Sequence, residues 1–304
     1  MTERFVFGEE VARALAAKRP VVALETTVVT HGLPHPDGVN AALALEDEVR
    51  AAGAVPATIG VLDGKVIVGL TRAELERLAT AQGVTKLNLS NFAAVLAAGE
   101  PGSTTVAATM FAARHAGIAV FATGGIGGVH RDAAESGDVS ADLTALARIP
   151  VAVVCAGAKA ILDLPRTVEM LETLGVPVLG LGTDEFPAFY RRESGLPVDR
   201  RFAAVEPLAA AVRAHFELGA GSGVLVANPI PEGEEMPREL YERALGEALA
   251  AAAAAGVRGR AVTPFLLDRM RAITGGESVR ANLALLRNNA RVAARLAAAL
   301  ARAD

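Results

Sequence analysis

The chain has 304 residues, 52% hydrophobic and 21% charged, which is enough apolar material for a sizeable core and excludes long-range disorder. A net charge of −4 and an aromatic content of 4% without Trp argue against a nucleic-acid partner, which needs a basic face and stacking rings. The single Cys155 excludes an intrachain disulfide and a zinc–cysteine cluster, and no apolar run of about 18 residues is available to cross a membrane.

The opening MTERFVFGEE lacks a signal-like apolar stretch, so a soluble, cytoplasmic protein is expected. Residues 8–18 have helical spacing, and residues 21–24 are a short apolar run that reads as a buried strand ending at Glu25. TTVVTHGLPHPDG, with two Pro and two Gly, reads as a loop that holds His31 and His35. Residues 37–52 read as a helix. Two β-rich runs joined by Asp63 and Gly64 signal a hairpin. Thr71 followed by Glu74 forms a capping box for the next helix.

Residues 86–89 are strand-like. A helix is expected over 104–117, with EPGST supplying its cap and turn, and a strand over 118–122. TGGIGGVHR is a glycine-rich loop at the end of that strand. It lacks the spacing of a dinucleotide fingerprint, so a phosphate-approach loop or a tight turn is expected. Further on are a helix at 140–148, a strand at 150–154, a helix at 163–175, a strand at 176–181, a helix at 205–218 and a strand at 223–227. Three helices follow near 236–255, 264–273 and 276–303. The alternation predicts one α/β domain with a mostly parallel central sheet and helices on both faces.

Ligands of such sheets bind beyond the carboxyl ends of the strands. Glu25, the glycine loop with His130, the acidic segment Asp138–Asp142 and Lys159 all fall at such ends. Of the 30 basic residues only Lys18, Lys65, Lys86 and Lys159 are lysines, leaving 26 arginines. A lysine kept in such a chain draws attention wherever an amine can do what a guanidinium cannot. Lys159 lies in CAGAKAIL. Apolar neighbours strip hydration from a charged amine and favour the neutral nucleophile, which can form a Schiff base. A helix-start lysine reaching solvent fits the same spacing. Glu25 reads as a structural acceptor or as a general acid/base. Asp138 and Asp142 read as a water-rich divalent-cation site or as helix caps. His130 reads as an orienting group or as a surface histidine, and Cys155 as a buried, inert thiol.

The ordered segments ALETTVVTHGLPHP, PATIGVLDGKVIVGL, KLNLSNF, GSTTVAATM, FATGGIGGVHR, DVSADL, CAGAKAILDLPRTVEMLETLGVPV, VLVANPIP and TPFLLDRM resemble those of pseudouridine-5′-phosphate glycosidases, which include indigoidine synthase A-like proteins. The resemblance runs from about residue 5 to about residue 300. It implies reversible cleavage of pseudouridine 5′-phosphate to uracil and ribose 5-phosphate by a homotrimer that uses a divalent cation, most often Mn²⁺. It further implies that Lys159 is the nucleophile and Glu25 the proton donor, with Asp138 on the metal. Lys86, Val106, His130, Ser140, Ala141, Asp142 and Asn282 match substrate contacts. A lysine suits this chemistry because the leaving atom is carbon, which the usual pair of carboxylates cannot expel by protonating a heteroatom. A Schiff-base aldolase on a sugar phosphate and a non-catalytic nucleotide or sugar-phosphate sensor are the competing readings.

Overall fold

The computed structural model describes residues 4–257 and 262–302. The first half of the chain runs β1 (Phe5–Phe7), α1 (Glu9–Ala16), β2 (Val21–Leu24), a π-helical turn (Val28–Gly32), α2 (Asp37–Ala51), β3 (Val55–Leu62), β4 (Lys65–Val68), α3 (Arg72–Thr80), β5 (Thr85–Leu87), α4 (Phe92–Ala98), β6 (Gly102–Thr104), α5 (Val106–His115) and β7 (Val120–Ala122). The second half runs α6 (Ala133–Ser136), α7 (Ala141–Arg148), β8 (Ala152–Cys155), α8 (Leu164–Thr173), β9 (Val178–Leu181), β10 (Arg200–Phe202), α9 (Val205–Glu217), β11 (Val224–Ala227), α10 (Arg238–Ala254), α11 (Val262–Ile273) and α12 (Glu277–Ala301). The predicted end of the last helix at residue 303 lies outside the described residues.

The strands form one sheet in the order β1-β4-β3-β2-β7-β8-β11-β9-β10, with β6 beside β3 and β5 beside β6. All pairings are parallel except β3–β4 and β3–β6. The expected α/β class and mostly parallel sheet are therefore present. Strands β2, β7, β8 and β11 are buried along their whole length, as continuous apolar runs covered on both faces should be. Helix α12 packs across β2, β7 and β8 and against α2 and α9, while α5 packs on β2 and β7 and against α7.

Local chemistry accounts for several boundaries. Asp63 and Gly64 both have positive φ, 52° and 69°, as a type I′ hairpin turn between β3 and β4 requires. The capping box of α3 is formed: Thr71 Oγ1 accepts from the Glu74 N–H at 3.2 Å, and Glu74 accepts from the Thr71 N–H at 2.8 Å.

Other elements depart from the expectation. The segment read as a loop after Glu25 holds the π-helical turn, which is closed by the Leu33 N–H donating to the Val28 carbonyl at 3.1 Å. Gly102–Thr104, expected to cap a helix, is instead strand β6, and Thr105 is the cap, accepting from the Ala108 N–H. Pairing with β3 and β5 decides this, because a fully buried three-residue segment meets its backbone hydrogen-bonding needs in a ladder. β1, β10, α4 and α6 were not expected either; they are too short to carry a readable period.

Candidate active site

The chain leaves β2 toward β3 on one side and later returns to β7 on the other, so the sheet changes winding direction between β2 and β7. Such a switch point opens a crevice beyond the strand ends. Glu25 follows β2 there, and Thr123 follows β7. Lys159 comes from the segment after β8, where Gly157 turns at φ 80° so closely against the Pro187 carbonyl that a Cβ would sit 1.9 Å from its oxygen. The Lys159 N–H then bonds the Ile126 carbonyl at 3.0 Å, which ties the lysine to the glycine loop. Lys86 enters from β5, where Asn91 Nδ2 holds its carbonyl at 3.1 Å.

These side chains line one cleft with two compartments. One is walled by Phe189, Leu267, Leu286, Pro264 and Asn282 and is mostly apolar. The other is walled by Asn88, Thr105, His130, Asp138, Ser140 and Asp142, a polar set. Glu25, Lys86 and Lys159 line both. This lining suits a small ligand with an apolar and a polar end.

Burial raises the carboxyl of Glu25 above its ordinary range, opposed by the Lys159 cation and by the hydroxyl of Thr123, which donates to Oε1. Burial and the neighbouring Lys159 charge lower the amine of Lys86. Lys159 itself is half-buried beside charged groups, so its setting differs from the purely apolar one its sequence neighbours suggest. Those neighbours, Ala156, Ala158, Ala160 and Ile161, are buried in the core below it. Cys155 is wholly buried, and burial pushes its thiol up to about 12, as an inert core thiol requires.

The acidic segment divides by role. Asp142 lies on the first turn of α7, within the helix expected at 140–148. Its Oδ1 accepts from the Ala107 N–H at 3.0 Å and its Oδ2 from the Gly127 N–H at 2.8 Å. It thus clamps the start of α5 to the glycine loop, with both oxygens engaged by the protein. Ser140 caps α7 by accepting from the Asp142 N–H at 3.2 Å. Val106, at the first turn of α5, is buried and lines neither compartment; its neighbour Thr105 lines the polar one. Asp138 is different. Its carboxylate has no hydrogen-bond donor among the described residues and faces His130 Nε2 at 3.9 Å. Asn282, on α12, lines the apolar compartment and lies against Gly124.

The glycine loop is closely packed. None of Gly124, Gly125, Gly127 and Gly128 has positive φ. Instead a Cβ would meet the Phe189 ring at 2.6 Å from Gly125, Ser140 Oγ at 2.3 Å from Gly127 and Thr167 Oγ1 at 2.4 Å from Gly128. Close packing of the site walls is what requires glycine here. Phe189, whose φ of 62° is rare for an aromatic residue, closes the apolar compartment. The helix α11 and the segment holding Thr123 are expected from the sequence, but no charge or spacing singles out Thr123, Phe189 or the α11 side chains Pro264 and Leu267 as parts of the cleft. His31, expected in a loop, lies in the π-helical turn. It lines the cleft, with Nδ1 2.6 Å from Thr30 Oγ1 and 3.2 Å from Ser103 Oγ, and burial followed by the Lys86 charge lowers its basicity.

A family model described as indigoidine synthase A like protein matches residues 10–299. The chain belongs to the indigoidine synthase A-like family. It is 56% identical over 294 residues to a pseudouridine-5′-phosphate glycosidase of Methylobacterium nodulans, covering 97% of this chain and 87% of that protein. It is 52% identical to one of Caldanaerobacter subterraneus subsp. tengcongensis, covering 98% and 97% of the two chains. Among solved structures, the prealnumycin C-glycosynthase AlnA in complex with ribulose 5-phosphate has a TM-score of 0.92 at 41% identity, covering 99% of this chain and 98% of that one. The family match includes every cleft residue named above.

Among the described residues no group of three or more His, Cys, Asp or Glu side chains is placed to hold a metal ion. Each Asp142 oxygen already accepts a backbone N–H, from Ala107 and from Gly127. The donor set that remains, the Asp138 carboxylate, fits a hard divalent cation that keeps most of its water.

Proposed function

We propose that this protein reversibly cleaves the C–C glycosidic bond of pseudouridine 5′-phosphate to uracil and ribose 5-phosphate. The supporting observation is that Glu25, Lys159 and Lys86 meet at the junction of an apolar compartment, whose walls suit a base, and a polar one, suited to a sugar phosphate. The names of the relatives support the same substrate. The apolar compartment favours this reading over a sugar-phosphate aldolase, which has no base to hold.

In this reading the phosphate binds Lys86 and the backbone N–H groups of Val106 and Ala141 at the starts of α5 and α7, where helix dipoles favour negative charge. Asp142 fixes those two helix starts relative to each other. Glu25 gives a proton to the ring oxygen as the C1′–O bond opens, and Lys159 Nζ bonds C1′. The secondary ammonium so formed gives a proton to the Glu25 carboxylate, and the freed lone pair forms a C=N bond as C1′ parts from the uracil carbon, whose electron pair takes that proton from Glu25. Water adds to the imine, ribose 5-phosphate leaves, and Lys159 is regenerated. Lysine suits this step because an amine can form the imine that accepts the departing bond, whereas a guanidinium stays protonated. Asp138 would hold the divalent cation, Mn²⁺ in this proposal, with His130 orienting the carboxylate; such an ion supplies charge neutralisation beside the phosphate. The protein is further proposed to be cytoplasmic and to work as a homotrimer.

The test is direct. Protein, Mn²⁺ and pseudouridine 5′-phosphate are incubated and free uracil is followed by chromatography. Release supports the proposal. No release from folded, metal-loaded protein removes it.

A further inference from the structure

Helix α12 crosses the sheet with an apolar face in which Leu285, Ala290, Ala293 and Leu296 are fully buried. Two residues of that face are polar: Ser278 at the start of the helix, and Asn289 at its middle, which is also fully buried. Its Oδ1 accepts from Asn228 Nδ2 at 2.8 Å, and its Nδ2 donates to the Thr123 carbonyl at 2.8 Å. Asn228 follows β11, and its N–H bonds the Cys155 carbonyl at the end of β8 at 2.9 Å. The Thr123 N–H bonds the Val154 carbonyl at 3.1 Å. Both backbone polar groups of Thr123 are therefore held, one by β8 and one by α12, and its hydroxyl donates to Glu25 Oε1. The bonds pass from the end of β11 through α12 to the end of β7 and cross the switch point to the end of β2.

We propose that Asn228, Asn289 and Thr123 form a positioning device for Glu25. It turns Oε1 toward Thr123 and leaves Oε2 as the oxygen that carries and delivers the proton. An aliphatic residue at 289 would fill the core equally well, and a buried amide is costly unless its hydrogen bonds are made. Its partners explain its presence: it fixes the one peptide whose hydroxyl bridges the switch point. Oε2 has no protein hydrogen-bond donor among the described residues, so the proton has a single place to reside. The charged groups facing Glu25 are Lys159, Lys86 and Asp142, with His31 on the same cleft wall. None of them donates to Oε1. The inference rests on the proposed role of Glu25 in proton transfer.

The experiment measures the pH dependence of uracil release and the thermal midpoint for Thr123→Val, Thr123→Ser, Asn289→Leu and the double variant Asn228→Leu/Asn289→Leu. Thr123→Val keeps shape and removes the donor. It should move the limb assigned to Glu25 upward by about one pH unit and lower kcat about tenfold, with KM nearly unchanged. Thr123→Ser should restore both. The paired leucine variant, which leaves no unpaired amide, should lower kcat with the same limb displaced. A wild-type limb and kcat in both Thr123→Val and the paired variant would overturn the proposal, even if thermal stability falls. Glu25→Gln separates this from the underlying reading. If Glu25→Gln is inactive while Thr123→Val is unaltered, only the positioning role is lost; if Glu25→Gln turns over normally, both fall.

Discussion

Lys159 and Glu25 are the residues on which the chemistry turns, and each makes an expectation of its own. Borohydride added during turnover, or with ribose 5-phosphate alone, should reduce the imine and fix the sugar phosphate on the Lys159 peptide, read by peptide mass mapping. Lys159→Arg should be inactive because its charge survives and its nucleophilicity does not. A label on Lys86, or near-normal turnover of Lys159→Arg, would contradict the mechanism. Glu25 carries a stability consequence. Burial raises its carboxyl, so the folded chain binds this proton more tightly than the unfolded one. Its contribution is therefore most favourable below the ordinary value of 4.5 and is lost as pH rises from there through the raised folded-state value. Glu25→Gln should melt above the wild type at about pH 8, and the difference should close toward about pH 4, where both side chains are neutral. Equal melting curves at both pH values would show that no such cost exists.

At the scale of elements, the site walls depend on close approach. Gly127 brings the loop after β7 against Ser140 and Asp142 at the start of α7. Gly127→Ala should push these apart, lower stability by about 1–3 kcal/mol and raise KM for the phosphorylated substrate more than it lowers kcat. An unchanged KM would remove the phosphate end from this loop. The α3 capping box offers a contrast because it lies away from the cleft. Thr71→Ala should cost about 1 kcal/mol in chemical denaturation and leave turnover untouched. Phe189 combines both kinds of effect: its left-handed backbone costs energy, and its ring walls the compartment proposed for the base.

For the whole molecule, metal and assembly are the open properties. A cation held by one carboxylate and water should be weakly retained. Exhaustive chelation is expected to abolish uracil release, Mn²⁺ to restore it, and Asp138→Ala to lose both activity and the response to metal. Full activity after chelation removes the ion from the proposal. Leu218, 82% exposed, and Phe111, 41% exposed, leave apolar helix surface open to another subunit. Light scattering at micromolar protein should report three times the monomer mass; a monomer mass refutes the trimer.

The sequence by itself determined the class of the fold, the order of its main strands and helices, the β3–β4 turn and the α3 cap. Each rests on local chemistry: apolar runs, helical spacing, an Asp-Gly pair and a Thr/Glu pair. It also marked Glu25 and Lys159, since a carboxylate ending a buried strand and a lysine kept among arginines stand out along the chain. What only the tertiary structure decided is how these residues meet. The Glu25–Thr123 bond joins strands that neighbour each other through the switch in winding, 98 residues apart. The clamp made by Asp142, the close packing of Gly125, Gly127 and Gly128 and the burial of Asn289 likewise involve partners brought close by packing. Pairings over such separations leave no period or motif in the chain, because they are set by which strand ends share an edge and which helix covers them.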